Sequence, residues 1–199
     1  MDKLVDENGL SLEEFLANYK EKDYPKPSMT ADVVIFTLEN KKLSVLLIER
    51  KGHPCLGKWA FPGGFSNKGE TIDETAAREL EEETCIKGLP LEQLRVFSTP
   101  NRDPRTWVMT TAFVTLIKNK VKAKASDDAN NVAYFEISYK KSAENLEISL
   151  MGPKLLRASL KITKKQGINK VYSEYQQITS DLAFDHAEIL AYALEKVLE

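Results

Sequence analysis

The spacing of apolar residues changes along this chain, and the changes mark out its parts. Residues 11–20, SLEEFLANYK, show a short amphipathic helical pattern with Ser11 as N-cap and Glu14 completing a capping box. KDYPKPSMT ends that pattern, because Pro25 and Pro27 force extended backbone. Residues 1–29 therefore read as an N-terminal arm with a short helix, and 30–199 as the domain proper. From Ala31 the period becomes that of strands: ADVVIFTL and LSVLLIE are apolar, β-branched runs joined by Glu39-Asn40-Lys41-Lys42 as in a hairpin. KWAF is a further short strand, halted by Pro62-Gly63-Gly64. LRVFST, WVMTTAFVTLI and VAYFEI follow, each bounded by polar or turn residues. Residues 145–163 and 168–178 are also strand-like, with KKQG at 164–167 predicted to turn one into the other. The chain closes on FDHAEILAYALEKVLE, where Phe184, Ile189, Leu190, Ala193, Leu194 and Val197 form a helical stripe. These elements predict an α+β domain, a mixed sheet with helices packed on its faces.

One helix departs from the ordinary pattern. Thr71 can cap it, with Glu74 three residues on, and it runs to about Thr84. Ile72, Ala76, Leu80 and Thr84 make one mostly apolar stripe that would pack on the sheet. Glu79, Glu82 and Glu83 stand at i, i+3 and i+4 and share the adjacent stripe. Neighbouring anions repel along a helix, and Lys68 and Arg78 are too few to answer them. A run of this kind is most often a solvated face. In a half-buried groove it requires cations, and hard oxygen donors suit Mg²⁺ or Mn²⁺. Gly63-Gly64, just before the helix, can present bare backbone to a ligand.

Composition narrows the options. With 42% hydrophobic and 29% charged residues, 199 residues suffice for one domain with a real core. A formal net charge of −2 supplies no global basic field for nucleic acid. Cys55 and Cys85 lack a CxxC spacing and point to a reducing compartment rather than a disulfide framework. The acidic amino terminus is unlike a signal peptide, and no apolar stretch is long enough to span a membrane. A cytoplasmic protein is the expectation.

Gly64, Glu70, Arg78, Glu79, Leu80, Glu82, Glu83 and Ile86 fall in register with G-x5-E-x7-R-E-U-x-E-E-x-G-U, U being aliphatic, so the stretch resembles the Nudix box. The resemblance implies an α/β/α sandwich whose loop–helix–loop, residues 64–86, holds divalent metal against a substrate diphosphate. It implies hydrolysis of a nucleoside diphosphate linked to another group. Glu79, Glu82 and Glu83 would be metal ligands, with the Gly64 carbonyl as a further one, and Gly63 would meet the substrate. Glu79 or Glu82 would accept the proton, or a carboxylate from a distant loop would do so. Asp127 and Asp128 in ASDDANNVAYF are the distant candidates, and Asp128 is preferred over the alternative of a plain Asp-rich turn. Glu70 and Arg78 would brace the loop against the helix. Cys85 replaces the final glycine of the box, and an altered helix end is expected there.

The loop STPNRDPRTW offers Arg102 and Arg105 as bidentate partners for anionic oxygens, against the alternative of solvated surface arginines. The TPxRDPR pattern resembles the ADP-ribose pyrophosphatase branch, and also NAD-metabolism transcriptional regulators that bind ADP-ribose with a Nudix-like domain. YPKPSMTADVVIF and LAFDHAEIL resemble the same group. The leading expectation is conversion of ADP-ribose to AMP and ribose 5-phosphate. The alternatives are a non-catalytic ADP-ribose sensor, or hydrolysis of another nucleotide such as NADH or an oxidised nucleotide. Those regulators carry a winged-helix domain after the Nudix-like part. This sequence ends at Glu199, and despite the basic KITKKQGINK, nucleic acid is not an expected partner. A homodimer, driven by the arm and with the pocket completed across the dimer, is a further expectation. Within the last helix, His186 beside Asp185 reads as a hydrogen-bonded structural residue rather than half of an acid–base pair. Trp59 reads as core rather than as a base-stacking ring.

Overall fold

A computed structural model describes residues 4–124 and 129–198. Helix α1, Leu12–Asn18, carries the expected capping box on Ser11 and buries none of its residues. Strand β1, Ser28–Glu39, is the axis of the fold. Its run from Thr30 to Thr37 is buried on both sides, as a continuous apolar segment requires. Val33 and Ile35 face one layer and Val34 and Phe36 the other, which follows from the two-residue period of a strand.

The remaining strands are β2 (Lys42–Arg50), β3 (Trp59–Ala60), β4 (Gly63–Phe65), β5 (Glu92–Phe97), β6 (Val108–Ile117), β7 (Ala129–Lys141), β8 (Asn145–Met151), β9 (Leu155–Gln166) and β10 (Val171–Ser180). They form one mixed sheet in the order β10-β9-β8-β7-β2-β1-β6-β5, with β3 beside β2 and β4 beside β1. β1 and β6 pair in parallel, and β1 pairs with β2 and β4 antiparallel. Helix α2, Ile72–Thr84, covers one face by packing Ala76 and Leu80 on Val33, Ile35, Leu46 and Phe113. Helix α3, His186–Leu198, lies on the other, with Ile189, Leu190, Ala193 and Leu194 against Val34, Phe36 and the inner face of β8–β10. The expected α+β sandwich with a mixed sheet is the observed architecture. Among the described residues no helix is long and apolar enough to cross a membrane.

Three local expectations are corrected. Residues 145–163 are two strands, broken at Gly152-Pro153-Lys154; a side chain at Gly152 would begin 2.6 Å from the Phe135 ring. The last hairpin turns at 167–170 rather than 164–167, with the Gly167 N–H donating to the Lys170 carbonyl at 2.9 Å. Lys164 and Lys165 stay in register opposite Ser173 and Tyr172, while Gly167 and Asn169 supply turn chemistry and Ile168 is fully exposed. Finally, the end of α2 is unaltered: Cys85 itself takes the left-handed conformation (φ 59°, ψ 17°), and its N–H donates to the Glu81 carbonyl. A side chain in that conformation is strained where glycine is not. Cys85→Gly should therefore raise stability by roughly 1 kcal/mol without moving the helix, read as a higher urea midpoint.

Candidate active site

The acidic helix, the glycine turn before it and the arginine loop all open onto one cleft of about 410 Å³. Gly63, Gly64, Arg78, Glu79 and Glu83 line it from the box, Arg102, Asp103 and Arg105 from the loop, and Asp32, Phe184 and His186 from the sheet and α3. The glycines are there because nothing larger fits. A Cβ on Gly63 would lie 2.1 Å from the Ala31 carbonyl, and one on Gly64 would lie 2.5 Å from the Glu79 carboxylate.

Arg78 organises the box. Its Nε and Nη2 donate to Glu70 at 2.7 and 3.0 Å, and Nη2 also donates to the Phe65 carbonyl at 2.9 Å. Nη1 donates to Glu79 at 2.7 Å and to Glu82 at 2.9 Å. The turn from Phe65 to Glu70 is thereby tied to α2. Hydrogen bonds from Arg78 and Asn67 hold the Glu70 carboxyl well below the usual range. Glu83 is in a different position. It accepts from the Gly63 N–H at 2.8 Å, yet burial pushes its carboxyl up to about 8. Burial also raises Glu79, despite Arg78 beside it.

The arginine loop is held by aspartates. The Arg102 side chain is buried and bidentate on Asp185, at 2.8 and 2.6 Å. Arg105 is bidentate on the buried Asp103, with its guanidinium 5.0 Å over the Phe65 ring. His186 is fully packed, its Nδ1 accepting from the Phe61 N–H at 2.9 Å, and burial drives its pKa down to about 3. Its ring is hydrogen-bonded, as expected, and it also lines the cleft. Trp59 is buried with its ring edge-on to Phe135, in the core. Asp128 and Asp127 lie outside the described residues.

The NUDIX domain model matches residues 27–146. The chain belongs to the Nudix family. Over 115 residues it is 39% identical to the ADPR responsive transcriptional repressor NtrR of Acinetobacter baylyi, covering 57% of this chain and 46% of the repressor. It is 36% identical to the ADP-ribose pyrophosphatase of Methanocaldococcus jannaschii, covering 58% of this chain and 65% of the enzyme. These alignments thus span about half to two thirds of the curated relatives. A MutT/nudix family protein from Enterococcus faecalis superposes with a TM-score of 0.74 at 35% identity, covering 95% of this chain and 70% of that one. The NUDIX domain of Shewanella oneidensis NrtR complexed with ADP ribose gives 0.64 at 25% identity, covering 94% and 99%.

Divalent metal is what the family's box implies, and the residues present suit it chemically. Two half-buried carboxylates, Glu79 and Glu83, line the cleft with pKa values raised by burial, and their oxygens are hard donors. Among the described residues no three acidic, histidine or cysteine side chains already converge on one ion position, since Arg78 Nη1 draws Glu79 and Glu82 to itself.

Asp32, Asp103 and Phe65 escaped the sequence reading. Asp32 had a usable signal, a single carboxylate inside the apolar run ADVVIF. Such a residue is buried with partners or it is an error of assignment. Asp103 was visible only as part of the TPxRDPR pattern, without a role, and Phe65 carried no signal, because strand aromatics are ordinary.

The Glu83 shift has a definite sign. The unfolded chain releases this proton near 4.5 and the folded one holds it to about 8. Its contribution is fully present below 4.5 and is lost as pH rises through about 8. His186 acts on the acid side, where the unfolded chain protonates first. Comparison with Glu83→Gln isolates the glutamate: without metal, the urea midpoint of the variant should gain on wild type between pH 5 and pH 8. Parallel midpoints across that range would contradict the assignment.

Proposed function

We propose that the chain is a divalent-metal-dependent pyrophosphohydrolase acting on nucleoside diphosphates linked to another group, with ADP-ribose as substrate and AMP and ribose 5-phosphate as products. The observation that carries this reading is the meeting of the box carboxylates and two aspartate-gripped arginines on one cleft. A diphosphate is a dianion that water attacks poorly until its charge is neutralised. Bound Mg²⁺ or Mn²⁺ supplies that neutralisation and acidifies water. Glu79, Glu82, Glu83 and the Gly64 carbonyl are the groups proposed to hold it. Arg78 keeps the turn and the helix that carries the glutamates in register. Arg102 and Arg105 are proposed to take phosphate oxygens, which suit a planar fork. Glu79, Glu82 or Asp128 is proposed to accept the proton from water. ADP-ribose is favoured because the pyrophosphatase and the repressor, each aligned over 115 residues, are both named for it, whereas relatives named for 8-oxo-dGDP align over only 76 residues.

The likeness to a repressor supports a second reading, a non-catalytic ADP-ribose sensor. Incubation with Mg²⁺ and a panel of nucleoside diphosphate derivatives separates the two. AMP released from ADP-ribose supports the hydrolase, binding without release supports the sensor, and turnover of only another member rejects ADP-ribose. Glu82→Gln should cut kcat by roughly 10²-fold or more while folding stays intact. An unchanged rate would remove Glu82 from the metal site.

A further inference from the structure

Beneath the cleft lies a cluster of ionisable side chains to which the box helix contributes nothing. The side chains of Arg102, Asp185, Asp32 and His186 are 6%, 12%, 10% and 4% exposed. Arg102 gives Nε and Nη2 to Asp185, a residue 83 positions away at the start of α3. Nη2 is also 3.8 Å from Asp32 Oδ2. Asp32 is itself fixed: Thr110 Oγ1 donates to Oδ2 at 2.7 Å, and His186 Nε2 stands 3.6 Å from Oδ1. Because His186 Nδ1 accepts the Phe61 N–H, the imidazole proton is on Nε2, facing Asp32.

Stability does not account for this arrangement. Desolvating buried ion pairs commonly costs about as much as their attraction returns, and apolar side chains of similar size often hold such sites as well. Orientation does account for it. A guanidinium gripped through Nε and Nη2 has its plane fixed and keeps Nη1 for another partner. The neighbouring arginine repeats the device, since Arg105 also gives Nε and Nη2 to an aspartate, Asp103. Two arginines of one loop, both cleft-lining and both held by the same pair of nitrogens, argue for a common purpose.

We propose that Asp185 is a positioning residue that holds Arg102 so that Nη1 meets a phosphate oxygen of the substrate, with Asp32 backing Nη2. The inference rests on the nucleoside-diphosphate reading above. Asp185 touches no substrate and acts only through Arg102. It also ties the loop carrying Asp103 and Arg105 to the first turn of α3.

The test is a double-mutant cycle on ADP-ribose hydrolysis with Mg²⁺, or on calorimetric affinity for ADP-ribose if the chain binds without turnover. Asp185→Asn should raise KM about tenfold with kcat changed less than about threefold, the mark of lost uniform binding. In the Arg102→Ala background the same change should move KM by less than about twofold, because the group it positions is gone. A purely structural Asp185 would lower the urea midpoint in both backgrounds and leave no such coupling. Should Asp185→Asn fail to fold, Asp185→Glu keeps the charge and displaces the grip by one methylene. A raised KM in that folded variant supports the proposal, and a native KM overturns it. Additive effects in the cycle overturn it too. Wild type that neither binds nor hydrolyses any member of the nucleoside diphosphate panel overturns the nucleotide reading and this proposal with it, an outcome distinct from an unaffected Asp185 variant. If another member is turned over, the cycle is run on that one.

Discussion

Charge crowding on α2 is the constraint around which the rest is arranged. Glutamates one turn apart repel, and the helix survives because Arg78 reaches Glu70, Glu79 and Glu82 at once while pinning the Phe65 carbonyl. One guanidinium cannot neutralise them all. Glu70, Glu79 and Glu82 share Arg78, while Glu83 accepts the Gly63 N–H. Glu79 and Glu83 have raised pKa values because burial disfavours their charge. What remains is a cleft wall of carboxylates whose charge burial disfavours, and that is the physical content of the Nudix box in this chain.

The sheet brings that wall to its partners. β1 is buried on both sides, so one strand supports α2 through Val33 and Ile35 and α3 through Val34 and Phe36. Asp32 precedes this stretch and pairs with Gly63, which places a buried carboxylate directly behind the box turn. α3 has a second duty at the far edge. Tyr192 Oη accepts the Tyr175 N–H and Glu188 accepts the Gln177 N–H, so two donors of β10 that β9 does not take are capped by side chains. An edge strand covered in this way is protected against pairing with another chain.

Much of this could be read from residues alone, for identifiable reasons. Long apolar runs such as ADVVIFTL carry their own period, and Thr71 with Glu74 announces the start of α2, so both elements appear where expected. The glutamate spacing places Glu79 and Glu83 together because helix geometry is fixed. Turns were less legible: Ile168 looked like strand yet is fully exposed in the last turn, where Gly167 and Asn169 decide the backbone. Cys85 shows that a position favouring glycine can be filled at the cost of strain. The grip of Asp185 on Arg102 was beyond sequence reasoning, since nothing local links positions 83 residues apart. Asp32 lay between these cases, visible as an anomaly but without a partner to explain it.

Proton counting during metal binding tests the central claim most directly. Calorimetric titration of the protein with Mg²⁺ or Mn²⁺ at pH 7, repeated in buffers of different ionisation enthalpy, gives the number of protons released per ion. The Glu83 carboxyl, which burial keeps protonated up to about pH 8, predicts saturable binding with net release of close to one proton, and loss of that release in Glu83→Gln. Binding with no proton release, or no binding at millimolar metal, would show that the crowded carboxylates of α2 are an ordinary solvated surface.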